Sequence, residues 1–224
     1  MSILLLNKIS YQYSNTNKAV LKDLFAEFEK GKLYCIVGKS GAGKSTLLSL
    51  VSGLDLCSRG TILYNNTDIQ NLNRDNYRAK NIGVIFQSNN LLTNATAIEN
   101  IVLAMNISGD KTRNKNKIAL ELLQKIGIDK ETANRKVLKL SGGEQQRVGI
   151  TRAISHNPDI IIADEPTGNL DQETEASIMK TFTKLAHEEN KCVIIVSHSK
   201  NVAEYADVVY LLISGRLKEN KNTE

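Results

Sequence analysis

The segment at residues 38–45 constrains the possible folds of this 224-residue chain more than any other part of its sequence. It consists of Gly38, Lys39, Ser40, Gly41, Ala42, Gly43, Lys44 and Ser45. Two glycines separated by four residues and followed by Lys and Ser form the phosphate-loop pattern. The glycines let successive backbone N–H groups turn inward around an anion, and the N-terminus of a following helix adds partial positive charge. The pattern therefore predicts a strand, an anion-binding loop and a helix from Lys44 to about Ser52.

Further apolar runs predict the rest of the core. The strongly apolar segments are residues 32–37, 82–86, 160–163 and 192–196. Uniformly apolar strands are typical of parallel sheets buried on both faces, and the intervening segments are long enough to cross over as helices. Residues 3–13 and 25–28 instead alternate apolar and polar side chains, as half-exposed antiparallel strands do. The expected fold class is α/β with a mainly parallel sheet and an antiparallel N-terminal lobe.

Residues 89–157 lack buried strands and show helical periodicity instead. Their apolar residues at helical spacing include Ile118, Leu122, Leu123 and Ile126. Such spacing is typical of helices with one buried face. We interpret this stretch as a helical subdomain inserted into one domain of residues 1–224, whose other parts are about 1–88 and 158–224.

The composition excludes several classes of protein. Hydrophobic residues make up 41% and charged residues 24%, so disorder is not expected. The three cysteines match no metal motif and indicate a reducing compartment. The N-terminus does not resemble a signal peptide, and no apolar stretch reaches the roughly 18 residues of a membrane span. A net charge of +5 is compatible with a nucleic-acid partner, but the chain has no Trp and few aromatic residues for stacking bases.

The apolar run at residues 160–163 is followed by two adjacent acids, Asp164 and Glu165. Carboxylates at the end of a buried strand are costly unless a cation or a water uses them. Beside a phosphate loop, Asp164 is placed to hold Mg²⁺ and Glu165 to polarise a water. Lys44 can neutralise the β- and γ-phosphates, and the Ser45 hydroxyl can ligate Mg²⁺. These features alone leave kinases, GTPases, helicases and transport ATPases open.

A second helix start narrows these alternatives. The motif consists of Leu140, Ser141, Gly142, Gly143, Glu144, Gln145, Gln146 and Arg147. Ser141 is a natural N-cap and Glu144 completes a capping box. Adjacent glycines reduce helix propensity, yet they leave backbone N–H groups accessible at the positive end of a helix. This motif therefore predicts a second anion site, distinct from the phosphate loop.

In this combination and order of motifs, the chain resembles the ATP-binding-cassette (ABC) ATPases over essentially its whole length. The resemblance implies that Gln87 is the Q-loop glutamine, which contacts Mg²⁺ and senses a membrane partner. Asp171 is similar to the acid of the D-loop, and His198 to the switch histidine that contacts the γ-phosphate. Tyr13 lies where the family stacks an aromatic ring on adenine, with Tyr11 as the alternative.

The resemblance also implies a P-loop NTPase fold with a RecA-like core, and ATP and Mg²⁺ as cofactors. The expected catalytic residues are Glu165, His198, Lys44 and Gln87. The expected nucleotide contacts are Tyr13, Gly38, Lys39, Ser40, Gly41, Ala42, Gly43, Lys44, Ser45, Thr46, Ser141, Gly142, Gly143, Glu144 and Asp171. The expected Mg²⁺ ligands are Ser45, Gln87 and Asp164.

One chain is then expected to be half of the active unit. Two chains would sandwich two ATP molecules, with Ser141 to Gly143 of one chain covering the nucleotide at Lys44 of the other. The other expected partner is an integral-membrane permease subunit, and no nucleic acid is expected. The protein would therefore be cytoplasmic and peripheral at the inner face of the cell membrane.

Residues 40–48, 97–101, 144–147 and 163–171 are similar to the macrolide-exporter, lipoprotein-releasing and bacteriocin-export subfamily. This similarity implies export or extraction of a peptide, antibiotic or lipoprotein. The alternative is a soluble ABC ATPase acting on ribosomes or DNA. Such proteins usually carry two fused cassettes or a long coiled coil, and this chain shows neither. A phosphate-loop kinase or GTPase would leave the glycine motif of the second helix start unexplained.

Overall fold

Two β-sheets and eight α-helices organise the residues that the computed structural model describes, namely 2–14, 18–88, 90–168 and 170–220. The strands are β1 (Ser2–Tyr11), β2 (Leu21–Glu29), β3 (Lys32–Val37), β4 (Arg59–Tyr64), β5 (Thr67–Asp68), β6 (Ile82–Ile85), β7 (Ile160–Asp164), β8 (Cys192–Ser197), β9 (Val208–Ile213) and β10 (Arg216–Glu219). The helices are α1 (Lys44–Val51), α2 (Arg74–Lys80), α3 (Ala97–Ile107), α4 (Lys115–Lys125), α5 (Lys130–Ala133), α6 (Gly142–Ile154), α7 (Gln172–His187) and α8 (Lys200–Glu204).

The larger sheet has six strands in the order β10-β9-β3-β8-β7-β6. Its strands are parallel except for β10, which pairs antiparallel with β9. The four uniformly apolar runs are β3, β6, β7 and β8, and β8 is buried along its whole length. The burial of strands on both faces explains why their sequences do not alternate.

The smaller sheet is antiparallel, with strand order β2-β1-β4-β5. The predicted alternation in β1 is interrupted where the register with β2 shifts between Leu6 and Ile9. Lys8, within this irregularity, has a φ of 51° and is exposed. A mixed fold of one antiparallel and one largely parallel sheet confirms the predicted fold class.

Three apolar clusters stabilise these layers. The first lies between the two sheets and includes α1. The second packs α7 against the other face of the parallel sheet, with Phe182 fully buried. The third belongs to α3, α4 and α6 and includes Ile101, Leu123 and Val148. The boundaries near residues 89 and 157 stay predictions, and Asn89 lies outside the described residues.

The parallel sheet brings three strand ends to one edge. In the register of the sheet, Val37 at the end of β3 pairs with Ser197 at the end of β8. Asp164 at the end of β7 pairs with Val196 of β8. The loops that follow β3, β7 and β8 therefore begin side by side, although the end of β3 is more than 100 residues from the other two strand ends along the chain. Ligands bind at such carboxyl edges in open α/β sheets.

No helix in the described part of the chain is long and apolar enough to cross a bilayer. The three cysteines are free thiols, with Cys35 and Cys192 buried and Cys57 partly buried.

Candidate functional site

The phosphate loop connects β3 to α1 and depends on its glycines. Gly43 has a φ of 104°, and a Cβ atom there would lie only 2.8 Å from Leu21 Cδ2. A Cβ atom on Gly38 would lie 2.8 Å from the carbonyl oxygen of Leu212. Lys44, the first residue of α1, folds its side chain back so that Nζ donates to the Gly38 carbonyl at 2.7 Å. The loop thus holds one ammonium group above a helix N-terminus, an arrangement suited to a polyphosphate.

The acid pair lies beside this loop. The Ser45 hydroxyl donates to Asp164 Oδ2 at 3.2 Å, which brings a hydroxyl and a carboxylate together at the first turn of α1. Burial raises the pKa of Asp164, and the neighbouring charge of Glu165 raises it further, whereas the Ser45 hydrogen bond lowers it. Oxygen ligands of this kind fit Mg²⁺, which commonly binds one or two carboxylates together with substrate phosphates. The exposed Gln87, two residues after β6, lines the same cavity.

Glu165 follows β7 in a left-handed backbone conformation with a φ of 46°, which is uncommon for a residue other than glycine. Its side chain is only 11% exposed. Oε1 lies 2.9 Å from His198 Nδ1 and 3.9 Å from Lys44 Nζ. Oε2 accepts hydrogen bonds from the Ser197 hydroxyl at 3.1 Å and the His198 backbone N–H at 3.3 Å. A strained backbone and converging donors thus hold this carboxylate at the edge of the sheet.

These groups surround a cavity of about 810 Å³. Its lining residues are Tyr13, Val20, Lys39, Ser40, Gly41, Gly43, Lys44, Ser45, Thr46, Gln87, Asp164, Glu165 and His198. The structure therefore brings together most of the predicted site residues, from five separate segments of the chain. A second cavity of about 810 Å³ adjoins the first, and the lining residues common to both are Tyr13, Val20, Lys39, Ser40, Gly41 and His198.

Tyr13 and Tyr11 differ in their exposure to this cavity. Tyr13 is 45% exposed, and its hydroxyl lies 2.9 Å from Thr46 Oγ1. Tyr11 is 9% exposed and donates to Asp55 Oδ2. The two rings meet edge to face with centroids 5.0 Å apart. The geometry favours Tyr13 over Tyr11 as the ring available to a ligand.

The second helix start is α6, which begins at Gly142 with Ser141 as its N-cap. The Ser141 N–H donates to Glu144 Oε2 at 2.7 Å, and the Glu144 N–H donates to Ser141 Oγ at 3.3 Å. This confirms the predicted capping box, and the Ser141 N–H lowers the pKa of Glu144. A Cβ atom on Gly142 would meet nothing within 4 Å. Among the described residues, none of residues 141–144 lines the cavity at Lys44.

Asp171 lies close to this second helix start. It is the N-cap of α7, and its carboxylate accepts hydrogen bonds from the Thr174 N–H at 2.9 Å and the Thr174 hydroxyl at 2.8 Å. The Thr174 N–H lowers the pKa of Asp171. A Cβ atom on Gly143 would lie 3.2 Å from Thr174 Cγ2, so the starts of α6 and α7 adjoin. Asn169, in the predicted D-loop, lies outside the described residues.

Two side-chain roles around the site were not predicted from the sequence. The first is the capping role of Asp171, which the following Glu173 and Glu175 could have indicated because acids are favoured in a first helical turn. The second is Ser197, which had no signal other than its place next to His198. Only the pairing of β7 with β8 brings its hydroxyl to Glu165.

Comparisons with known proteins agree with this geometry. A family model described as ABC transporter matches residues 21–168. An uncharacterized ABC transporter ATP-binding protein of Bacillus subtilis, YclH, is 45% identical over 222 residues, covering 99% of this chain and 98% of YclH. The lipoprotein-releasing system ATP-binding protein LolD of Francisella tularensis is 39% identical, covering 96% of each chain.

A solved structure is similar in fold over the full chain. It is a dimeric, post-hydrolysis state of the ATP-binding cassette MJ0796 bound to ADP and Pi. It matches with a TM-score of 0.90 at 33% identity and covers 99% of each chain. A family match across most of the chain and a relative at 45% identity are together decisive. The chain belongs to the ABC transporter ATP-binding proteins and is an ATPase that uses ATP with Mg²⁺.

Proposed function

We propose that this chain is the ATP-hydrolysing subunit of an exporter or extractor, and that two copies of it sandwich two ATP molecules. The observation that carries the proposal is the separation of two anion-binding helix starts. One is the loop at Gly43 and Lys44, and the other is the start of α6 at Ser141, which does not line the first cavity among the described residues. In a head-to-tail pair, each helix start would complete the site of the other copy. The dimeric state of the MJ0796 cassette supports this arrangement.

The residues of the cavity support a specific division of labour in hydrolysis. Lys44 and the loop N–H groups bind the β- and γ-phosphates. Ser45 and Asp164, with Gln87, would hold Mg²⁺, which supplies charge neutralisation for the phosphates. Glu165 orients a water and accepts its proton as the water oxygen bonds to the γ-phosphorus. The bond between that phosphorus and the bridging oxygen breaks, so ADP and phosphate leave.

His198 and Tyr13 have supporting roles in this scheme. The exposed ring of His198 can donate a hydrogen bond to the γ-phosphate, where negative charge is concentrated. The half-exposed Tyr13 ring stacks on adenine, and its hydroxyl bond to Thr46 orients it beside the phosphate loop. The Glu165 carboxylate and the His198 imidazole make direct contact, so both groups can act on the same γ-phosphate.

A cysteine cross-linking experiment tests the two-copy site. Cys57 is replaced by Ser, which leaves only the buried Cys35 and Cys192. One variant then carries Ser40→Cys and the other Ser141→Cys. Both positions are exposed, and a cysteine side chain is nearly the size of the serine that it replaces. The two variants are mixed with Mg²⁺ and a non-hydrolysable ATP analogue under mild oxidation. The proposal predicts a disulfide-linked heterodimer that ADP does not support.

A matched control uses the other capping box of the chain. Thr96 caps α3 as Ser141 caps α6, and Glu99 occupies the place of Glu144. Thr96→Cys in place of Ser141→Cys should give no nucleotide-dependent cross-link. Equal cross-linking at both positions, or cross-linking that ignores the nucleotide, would contradict the sandwich.

A cleft at the edge of the parallel sheet supports docking to a permease subunit. It has a volume of about 400 Å³ and lies among the end of α2, strand β6 and helix α3. Its exposed apolar side chains are Leu54, Leu92, Leu103 and Ile107. Exposed apolar side chains gathered around one cleft are typical of interaction surfaces. Gln87 follows Phe86, which lines this cleft, so the cleft adjoins the nucleotide cavity.

For the cargo, we propose a lipoprotein, a peptide or an antibiotic moved through that separate permease. Support comes from the 39% identity to LolD, whose name describes a lipoprotein-releasing system. The chain would lie at the cytoplasmic face of the membrane. Co-purification with a membrane subunit, followed by ATPase assays with a lipoprotein and with a cationic peptide, tests this part. Stimulation by one cargo supports the proposal, and stimulation by neither would contradict a lipoprotein or peptide cargo.

A further inference from the structure

The carboxylate of Glu165 is held asymmetrically. Its Oε1 atom faces His198 and Lys44 across the cavity, whereas Oε2 is held by two donors from the end of β8. One of these donors is the backbone N–H of His198, which every substitution except proline keeps. The other is the hydroxyl of Ser197, which is only 1% exposed. Among the described residues, Ser197 is the one side chain that donates to Oε2.

The proton of the Ser197 hydroxyl has a defined direction. Ser197 Oγ accepts a hydrogen bond from the Ser199 N–H at 3.1 Å, which occupies a lone pair of the hydroxyl. Its single proton is thereby left to donate to Glu165 Oε2 at 3.1 Å. The bonds form a chain from the start of α8, through Ser197, to the carboxylate. Such a chain restricts the torsions of the glutamate side chain.

The backbone of Glu165 is fixed from the same strand. Its N–H donates to the Val196 carbonyl at 2.9 Å, and its φ of 46° is held in place by this pairing. The backbone contact fixes the position of the Glu165 Cα atom, and the Ser197 contact fixes the position of its carboxylate. Together they leave Oε1 as the oxygen that faces the cavity.

We infer that Ser197 is a positioning residue for ATP hydrolysis, which holds Oε2 of Glu165 so that Oε1 is presented to the attacking water. This inference rests on the proposed role of Glu165. Ser197 itself touches neither phosphate nor water in this scheme. Its removal should therefore slow turnover with little effect on nucleotide binding. Misplacing a reacting group by about 1 Å can cost about 100-fold in rate.

The test compares Ser197→Ala with two variants that keep a donor, Ser197→Thr and Ser197→Cys. The matched control is Ser108→Ala, because Ser108 is also buried but donates to the carbonyl of Met105, in the helical region. ATPase rates are measured over a range of Mg²⁺-ATP concentrations, and thermal midpoints are measured in parallel. Ser197→Ala should lower kcat at least tenfold and change KM less than twofold.

The donor variants decide between positioning and simple packing. Ser197→Thr should recover kcat to within about threefold of the parent, and Ser197→Cys, a weaker donor, should fall between Thr and Ala. Ser108→Ala should keep the parent kcat. A parent-like kcat in Ser197→Ala would overturn the inference, and so would equal losses in all three Ser197 variants. If Ser197→Ala does not fold, a parent-like kcat in Ser197→Cys would overturn it.

Glu165→Gln separates this inference from the proposed function. Loss of turnover in Glu165→Gln with a parent-like kcat in Ser197→Ala would overturn the role of Ser197 alone. Parent-like turnover in Glu165→Gln would instead overturn the proposed role of Glu165.

Discussion

His198 Nδ1 lies 2.9 Å from Glu165 Oε1, and the two residues come from loops that follow adjacent parallel strands. The imidazole is 70% exposed, while the carboxylate is only 11% exposed. The ring therefore forms one wall of the cavity, with the acid behind it. We therefore expect the two residues to act on the same phosphate. His198 would donate to its oxygens, and Glu165 would act on it through a water.

Replacing His198 by Ala should lower ATP turnover by about 100-fold, as expected for the loss of one transition-state donor. Because the ring is mostly exposed, the free energy of unfolding should change by less than about 0.5 kcal/mol. ATPase assays and chemical denaturation check the two effects. A large loss of stability, or unchanged turnover, would contradict the assigned role.

Lys44→Ala should weaken ATP binding by about 10- to 100-fold, the range for losing a hydrogen bond to a charged group. The Lys44 ammonium is held over the loop by the Gly38 carbonyl, and among the described residues Lys39 is the one other lysine that lines the cavity. Titration calorimetry with a non-hydrolysable ATP analogue measures the change. Lys184→Ala, which removes an exposed lysine beside Glu188, is the control and should bind normally. Equal affinities of the two variants would remove the phosphate-loop assignment.

Asp164→Asn should abolish Mg²⁺-dependent turnover while stabilising the fold. Burial raises the folded-state pKa of Asp164 above its unfolded value, so the folded protein keeps the proton to a higher pH. Stability therefore falls as pH rises from the ordinary aspartate range through the raised pKa. Asn lacks this loss and can still accept the Ser45 hydrogen bond. At pH 7 the thermal midpoint should therefore lie above that of the parent, and the difference should shrink as the pH falls to the ordinary aspartate range. A lowered midpoint would contradict this account.

Ser141→Ala and Thr96→Ala remove equivalent N-caps from α6 and α3. Each should lower stability by about 1 kcal/mol. Only Ser141→Ala should also reduce ATPase activity, because only Ser141 is proposed to face the nucleotide of the second copy. Thermal denaturation and ATPase assays of both variants check this difference. If activity follows stability equally in the two variants, Ser141 has a capping role alone.

The sequence predicts the parts of this protein that rest on local physics. Uniform apolar runs mark β3, β7 and β8 because both faces of these strands are buried. The capping box of α6 could likewise be predicted, since its partners are three residues apart.

Long-range pairing could not be predicted in the same way. β9 and β10 form one edge of the parallel sheet. The pairing of β9 with β3, which places this edge, depends on the packing of the whole chain. The Ser197 contact with Glu165 spans 32 residues and exists only because β7 and β8 pair in one register. The choice of Tyr13 over Tyr11 similarly depends on the end of β1, where the Tyr11 ring is buried and its hydroxyl donates to Asp55.

Two copies of this chain are proposed to bind ATP between them, and Glu165 to release the pair by hydrolysis. Light scattering of Glu165→Gln with Mg²⁺-ATP measures whether the pair forms and persists. We expect a stable species of about twice the 24.8 kDa chain mass, a monomer when ATP is withheld, and turnover at least about 100-fold below the parent. A monomer with ATP bound, or parent-like turnover, would show that the proposed dimer and the role of Glu165 are wrong.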